Sequence, residues 1–474
     1  MADKRYTFRG KAVPLFRIGG TPVAEYSVYG RRRVGKTALI REFIRNKKAL
    51  YFMGIESNEK QNLHNFSQVI LENGRNKEGI PIFQDFQTAL ESVFIRAEKE
   101  RIILVIDEYP YVARSSPSLA SVLQRLIDTY RDSSHLFLIL CGSSMSYMED
   151  EVLAYKSPLY GRRTAQFKIR PFSFAECLSV WRGMEPESEA LLYGLTGGTP
   201  PYVLQMDTGL SVEENVKRTF LDPSSFLYEE PENLLKQEVR EPALYNAIIS
   251  AVAQGATRIS EISSRTGEST SVVSSYIRSL MELGVLEKET PYGEKPGRRT
   301  IYRIADNMFR FWYRFVPDNA SLIERGAQDL AWLRIAPHLA EYMGTIFESI
   351  CQEYLWTLLL RNQSPVLFNS LGRWWGNDPV RKKQTEIDIM GEESKEKALF
   401  GECKWRNEDV GLPVLETLEA RSHLFHYPQT ELYLFAKTGF TKAVQEKAKT
   451  LGHIHPVIYR AIWKELQGEW ETGK

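Results

Sequence analysis

Three groups of residues have types and spacings that can do chemistry. The first is Gly30-Arg31-Arg32-Arg33-Val34-Gly35-Lys36-Thr37, which fits G-x-x-x-x-G-K-[ST], the pattern of a phosphate-binding P-loop. Gly30 and Gly35 let the backbone wrap closely enough to aim N–H groups at phosphate oxygens. Lys36 sets a positive charge on the β- and γ-phosphates, and Thr37 offers a hydroxyl to Mg2+. The second group closes two apolar runs. Asp107 and Glu108 follow residues 102–106, where Asp107 suits Mg2+ and Glu108 suits an attacking water, as in a Walker B strand. Ser143 follows residues 136–141, where it can sense a γ-phosphate or belong to a turn that caps the next helix. Arg162 and Arg163 can contact phosphate as an arginine finger or form a solvated basic turn. The third group is Glu348, Asp388, Glu402 and Lys404. Asp388 and Glu402 can share a Mg2+ that polarises a phosphodiester and activates water, with Glu348 completing the metal shell. Lys404 can position that water or neutralise developing charge.

These residues need elements to hold them. The phosphate loop must leave a strand and open a helix. Residues 26–29 read as the strand, and residues 38–44 as the helix, with Leu39, Ile40, Phe43 and Ile44 at helical spacing. Its N-terminus adds partial positive charge under the phosphates. Further strands read at 49–53, 102–107, 136–141 and 165–169, with helices at 63–71, 83–98 and around 119–127. The acids at the end of the continuous 102–106 run lie where an open parallel sheet binds ligands. Residues 1 to about 25 are basic and give no firm helix. The entry Pro22-Val23-Ala24-Glu25 is more polar than a buried parallel strand usually is.

The middle of the chain changes rhythm. Three helical patterns contain Leu244 to Val252, Ile259 to Thr266 and Val272 to Leu283, and Gly267 and Gly284 stop the last two. Residues 285–289 and 300–303 alternate like two strands around a polar, basic tip at 292–299. This is the layout of a winged helix-turn-helix. It can bind DNA, with Ser271, Ser274, Ser275 and Arg278 in the major groove and the wing on phosphates. It can equally be an intramolecular spacer. Residues 307–315 are aromatic at helical spacing, which reads as core, and a helical link runs to about His338.

In the last module, Glu348 sits on a helix, and residues 386–390 and 398–405 read as strands. The two-residue period puts Glu402 and Lys404 on one face. A further strand at 431–436 and a helix through Val444 follow.

The chain has 474 residues, enough for several domains. With 61 basic and 60 acidic residues, net charge gives no pointer to nucleic acid, although local patches can still bind it. The four cysteines have no metal-type spacing and imply no disulfide framework, which fits a reducing cytoplasm. No signal-peptide core or bilayer-length apolar run is visible, so no membrane role is expected.

Taken together, Val28 to Thr37, Ile106-Asp107-Glu108-Tyr109, Gly142-Ser143-Ser144 and Leu159-Tyr160-Gly161-Arg162-Arg163 resemble the archaeal-type ATPase family, in the STAND branch of AAA-like P-loop ATPases. Gly197-Gly198-Thr199-Pro200-Pro201-Tyr202 resembles the family's Gly-x-Pro motif, which implies that Pro200 sits near the nucleotide in a helical lid. Relatives carry a Gly-Arg-Glu motif ahead of the P-loop, and Phe8-Arg9-Gly10-Lys11-Ala12 does not match it. The order of helix, acidic strand and Glu-x-Lys strand resembles the PD-(D/E)xK nuclease fold, with Glu-Ile-Asp in place of Pro-Asp. It also resembles the C-terminal domain that accompanies archaeal-type ATPases.

The expected architecture is α/β. It comprises a P-loop core at 1–180, a helical lid at 181–240, a winged helix at 241–305, a helical linker at 306–337 and a nuclease-like domain at 338–474. The expected ligands are ATP and Mg2+. DNA is a candidate partner, and a homo-oligomer is compatible with the sequence. A catalytically silent, nucleotide-dependent switch that holds DNA or a protein is the competing function.

Overall fold

A computed structural model describes residues 23–72, 82–379 and 381–468. The unmatched segment 8–12 lies outside the described residues. The chain divides into two compact units between Pro171 and Phe172.

The first unit is built on β1 (Ala24–Tyr29), β2 (Ala49–Met53), β3 (Ile102–Asp107), β4 (Leu136–Gly142) and β5 (Ala165–Lys168). They form one sheet in the order β2-β3-β4-β1-β5, and every pairing is parallel. A parallel sheet needs helices on both faces, so its central strands must be apolar on both sides. That is why residues 102–106 and 136–141 form unbroken runs. Leu104, Ile106, Leu138 and Leu140 join a core with Leu63, Phe66, Leu90 and Leu123. Ile103, Val105, Phe137 and Ile139 join another with Leu39, Ile40 and Phe43 of α1 (Lys36–Ile44). β4 lies between β1 and β3. The chain therefore leaves three adjacent strands, β1, β3 and β4, at one carboxyl edge, where open α/β sheets bind ligands.

The polar entry into β1 has an explanation. Glu25 is buried, its carboxylate accepts from the Ser27 hydroxyl at 2.9 Å, and its N–H donates to Thr164 Oγ1 at 3.2 Å. Burial pushes its pKa up to about 7, against the hydrogen bond from Ser27 and the positive field of Arg163.

The second unit starts with helices between Phe174 and Glu238. The winged helix follows as α2 (Pro242–Ala253), α3 (Ile259–Thr266) and α4 (Thr270–Glu282), with the antiparallel pair β6 (Leu286–Glu289) and β7 (Ile301–Ile304). Two helices at Asn307–Glu324 and Gln328–Ile335 lead to α5 (Leu339–Leu360). The last sheet contains β8 (Gly372–Asp378), β9 (Lys383–Ser394), β10 (Lys397–Lys404), β11 (Gln429–Ala436) and β12 (Ile454–Ile458), with α6 (Leu412–Ser422) after β10. Its order is β12-β11-β10-β9-β8. β8, β9 and β10 run antiparallel in turn, whereas β10, β11 and β12 run parallel. Ile387, Phe400, Leu432 and Leu434 pack against Leu415 and Leu418 of α6.

Within this unit the helical segment is pinned to α5. Glu353 accepts from the N–H groups of Phe174 and Ala175, both at 2.9 Å, so a carboxylate faces the positive end of the helix Phe174–Val180. The Tyr342 hydroxyl donates to the Gly194 carbonyl at 2.7 Å.

Candidate functional site

The phosphate loop is shaped by its backbone. Gly30 has φ 155°, and a Cβ there would stand 2.3 Å from the Ile169 carbonyl oxygen, so no side chain fits. Gly35, at φ 92°, turns the chain into α1. Between them Arg31 and Arg33 are half-buried, Arg32 is exposed and Val34 is buried; Arg33 is itself left-handed at φ 68°. Lys36 is buried, and its Nζ donates to the carbonyls of Gly30 at 2.8 Å and Arg31 at 3.0 Å. Burial lowers its pKa, while Glu108 and Asp107 pull the other way. The ammonium thus lies across the loop, held by carbonyls that a phosphate can replace.

Next to it, the two residues expected to hold Mg2+ already meet. Thr37 Oγ1 donates to Asp107 Oδ2 at 2.9 Å, and the Tyr51 hydroxyl donates to the same oxygen. Burial, and then the Asp107 bond, raise the Tyr51 pKa, so the phenol stays a donor. Asp107 Oδ1 accepts from the N–H of Glu108 at 3.0 Å. This donor set fits Mg2+ bound with a triphosphate, because a hydroxyl and a carboxylate face each other at a helix start.

Glu108 stands in the left-handed region at φ 51° and ψ 43°. For a residue with a side chain that conformation costs about 1–3 kcal/mol and is concentrated at functional sites. Its carboxylate accepts from Ser143 Oγ at 2.9 Å and from Ser143 N at 3.3 Å. The residue after β4 therefore fixes the acid after β3. The alternative of a capping turn finds less support, since Ser144 at the next helix start makes no side-chain cap bond.

The paired arginines sit elsewhere in their bonding. Arg162 grips Asp128 with both Nε and Nη2, at 2.8 and 2.7 Å, and donates to the carbonyls of Pro158 and Tyr160. Arg163 donates to Gln166 Oε1 and the Leu153 carbonyl. In this arrangement both guanidiniums bind protein groups, as in the basic-turn alternative. In the second unit, Pro200 is buried as the first residue of the short helix Pro200–Val203.

The C-terminal cluster draws on α5 for Glu348, β9 for Asp388 and β10 for Glu402 and Lys404. Continuing the β9–β10 register by one residue sets Asp388 opposite Glu402. Lys404 Nζ donates to Glu402 Oε1 at 2.7 Å, and Arg421 Nη1 donates to Glu402 Oε2 at 2.9 Å. Asp388 Oδ2 accepts from Cys403 N at 2.8 Å and lies 4.0 Å from Lys404 Nζ. Burial and then Glu402 raise the Asp388 pKa to about 6. Glu348 pairs with Arg373 Nε at 3.3 Å, and burial followed by Asp388 raises its pKa to about 8. Among the described residues, no group of three or more His, Cys, Asp or Glu side chains could hold a metal ion. The expected set Glu348, Asp388 and Glu402 lies in one neighbourhood, each acid with partners from the chain itself. Cations of the chain already satisfy Glu402, and Glu348 is drawn to Arg373.

Sequence reading missed Tyr51, Arg373 and Arg421. Tyr51 alternates in a strand like any half-buried aromatic. The two arginines matter only through strand β8 and helix α6, which were not recognised.

Comparison with known proteins bears on both units. Residues 19–206 match a family described as an ATPase domain predominantly from Archaea. Residues 247–290 match the IclR helix-turn-helix domain, and residues 312–421 match archaeal and bacterial proteins of unknown function. An uncharacterised protein of Methanocaldococcus jannaschii is 32% identical over 384 residues, which cover 80% of this chain and 82% of that protein. Among solved structures, the Walker-type ATPase of Pyrococcus abyssi shares 19% identity, with 66% of this chain and 96% of that one covered at a TM-score of 0.48. The Aeropyrum pernix ORC2 protein shares 13%, covering 69% and 95%, at a TM-score of 0.43. Among the described residues, no helix is long and apolar enough to cross a membrane.

Proposed function

We propose that this chain, which belongs to the family of ATPase domains found predominantly in Archaea, hydrolyses ATP and uses the nucleotide cycle to control nucleic-acid handling by its second unit. One observation carries the first half. Thr37, Asp107, Glu108 and Ser143, from three adjacent strand ends, are already joined in one hydrogen-bond chain, and Lys36 lies across the loop beside them on the carbonyls of Gly30 and Arg31. Lys36 exchanges two loop carbonyls for phosphate oxygens. Thr37 and Asp107 would hold Mg2+, which would supply positive charge against the phosphates. Glu108 orients the attacking water, and Ser143 holds Glu108 until a γ-phosphate competes for its hydroxyl. Measuring ATP turnover and Mg2+-dependent ATP retention tests this reading. Wild type turns over, and Lys36→Ala loses both, with about 10²–10³-fold lower turnover. Equal values for the two proteins would remove the site.

Support for the second half is the helix-turn-helix match, with Ser271, Ser275 and Arg278 exposed on α4. The C-terminal order of α5, an antiparallel β8–β10 meander, α6 and a parallel β11 supports a nuclease-like fold, with Lys404 and Glu402 on one face. A second reading, a nucleotide-dependent switch without cleavage, is favoured by the ion pairs that occupy Glu402. Plasmid nicking by wild type, Glu402→Ala and Lys404→Ala separates the two. Nicking lost in both variants supports a nuclease, and no nicking in any of them supports the switch.

A further inference from the structure

The winged helix does not stand free within its unit. The tip of its wing is docked on β8, the outermost strand of the C-terminal sheet. Tyr292 N–H donates to the Arg373 carbonyl at 2.8 Å, and Arg299 Nη1 donates to the Trp375 carbonyl at 3.1 Å. β8 has a neighbouring strand only on its β9 side, and its pairing with β9 is irregular between Gly372 and Trp374, beside the first of these contacts. The Tyr292 hydroxyl accepts from Glu392 N at 3.1 Å, and its ring packs on the core beneath.

Behind this contact lies a cleft of about 560 Å3 lined by both partners. Arg258 and Glu261 come from the helix-turn-helix, Arg373 and Trp375 from β8, and Arg421 from α6. Arg421 is also the residue that holds Glu402. The volume is that of a small-ligand pocket, too small for a duplex. The junction is also imperfect. Arg373 Nε, Glu348 Oε2 and Glu289 Oε2 are buried and ion-paired, yet make no hydrogen bond. Ion pairs without a hydrogen bond hold this junction less firmly than charge-assisted hydrogen bonds would.

We propose that the winged helix is a latch over the Glu402–Lys404 face: its wing grips β8, and a duplex that engages the wing must lift it, which widens the cleft next to Arg421. This rests on the reading that the second unit handles nucleic acid. While docked, the wing spends on protein carbonyls the backbone and the Arg299 guanidinium that would otherwise follow phosphates.

The geometry supplies its own test. A Cβ built on Gly372 lies 4.0 Å from Tyr292 Cβ, within the roughly 3.5–4.5 Å span of a disulfide. The full-length Tyr292→Cys/Gly372→Cys protein is oxidised by a small-molecule disulfide and compared with its reduced form. The reduced form is expected to retain a labelled duplex in a salt-dependent way, the oxidised form to bind at least ten-fold more weakly, and added reductant to restore binding. In wild type, the duplex should speed amide exchange at Tyr292. Equal affinity of oxidised and reduced forms, with unchanged exchange at Tyr292, overturns the latch while leaving nucleic-acid binding intact. A reduced form that retains no duplex at low salt overturns the latch through the reading beneath it.

Discussion

Asp107 and Glu402 are both buried acids near the carboxyl end of a strand, but their oxygens are occupied by different donors. Asp107 accepts from two hydroxyls and a backbone N–H. Glu402 accepts from a lysine and an arginine. The difference is chemical. A hydroxyl that donates to a carboxylate can turn and offer its own oxygen to a cation, so the Asp107 site is organised in advance for Mg2+. Lysine and arginine have no lone pair to offer and neutralise the acid themselves. The first acid is held by neutral donors, whereas Glu402 is held by two cations.

The largest test of this contrast is Glu108→Gln, which keeps shape and removes charge. ATP turnover should fall by about 10²–10⁴-fold, with Mg2+-dependent ATP retention preserved. Turnover at the wild-type rate would remove Glu108 from the chemistry. Glu25, a buried acid that accepts from one hydroxyl and has no ion pair among the described residues, extends the series. Its folded pKa of about 7 exceeds the ordinary 4.5, so the native state holds the proton more tightly. Its contribution to stability is full below about pH 4.5 and is lost as pH rises through about 7. Glu25→Gln should therefore gain about 2–3 kcal/mol over wild type at pH 8 and almost nothing at pH 4, read from denaturant melts at both values. A pH-independent difference would contradict the burial argument. Arg421→Ala leaves Glu402 short of one cation and should destabilise the second unit by about 1–3 kcal/mol. The smallest effect belongs to Ser143→Ala. Losing one hydroxyl contact to Glu108 should slow turnover by roughly ten-fold, about 1.4 kcal/mol, without weakening ATP retention. A larger loss of retention than of turnover would make Ser143 a binding residue.

How much was legible in the sequence follows from how each feature is encoded. The phosphate loop, the acids after β3 and the alternating wing are local patterns, in which residue type and spacing carry the geometry. β8 was missed because Gly372, Gly376, Asn377 and Asp378 are turn-forming types, and β12 because Pro456 interrupts a short run. Glu25 looked out of place in a buried strand, and only the neighbouring Ser27 and Thr164 show how it is accommodated. The partner of Arg162, Asp128, lies 34 positions earlier and no local pattern points to it. Glu348 pairs with Arg373, which comes from β8, a strand the local patterns do not reveal. Long-range ion pairing leaves no periodic trace.

One consequence of the wing's position concerns solubility. The hairpin is what shields the outer row of main-chain carbonyls on β8. Removing residues 241–305 while keeping the sheet would bare that row as a seam onto which a second molecule can add a strand, so such a truncated chain should precipitate or form concentration-dependent assemblies.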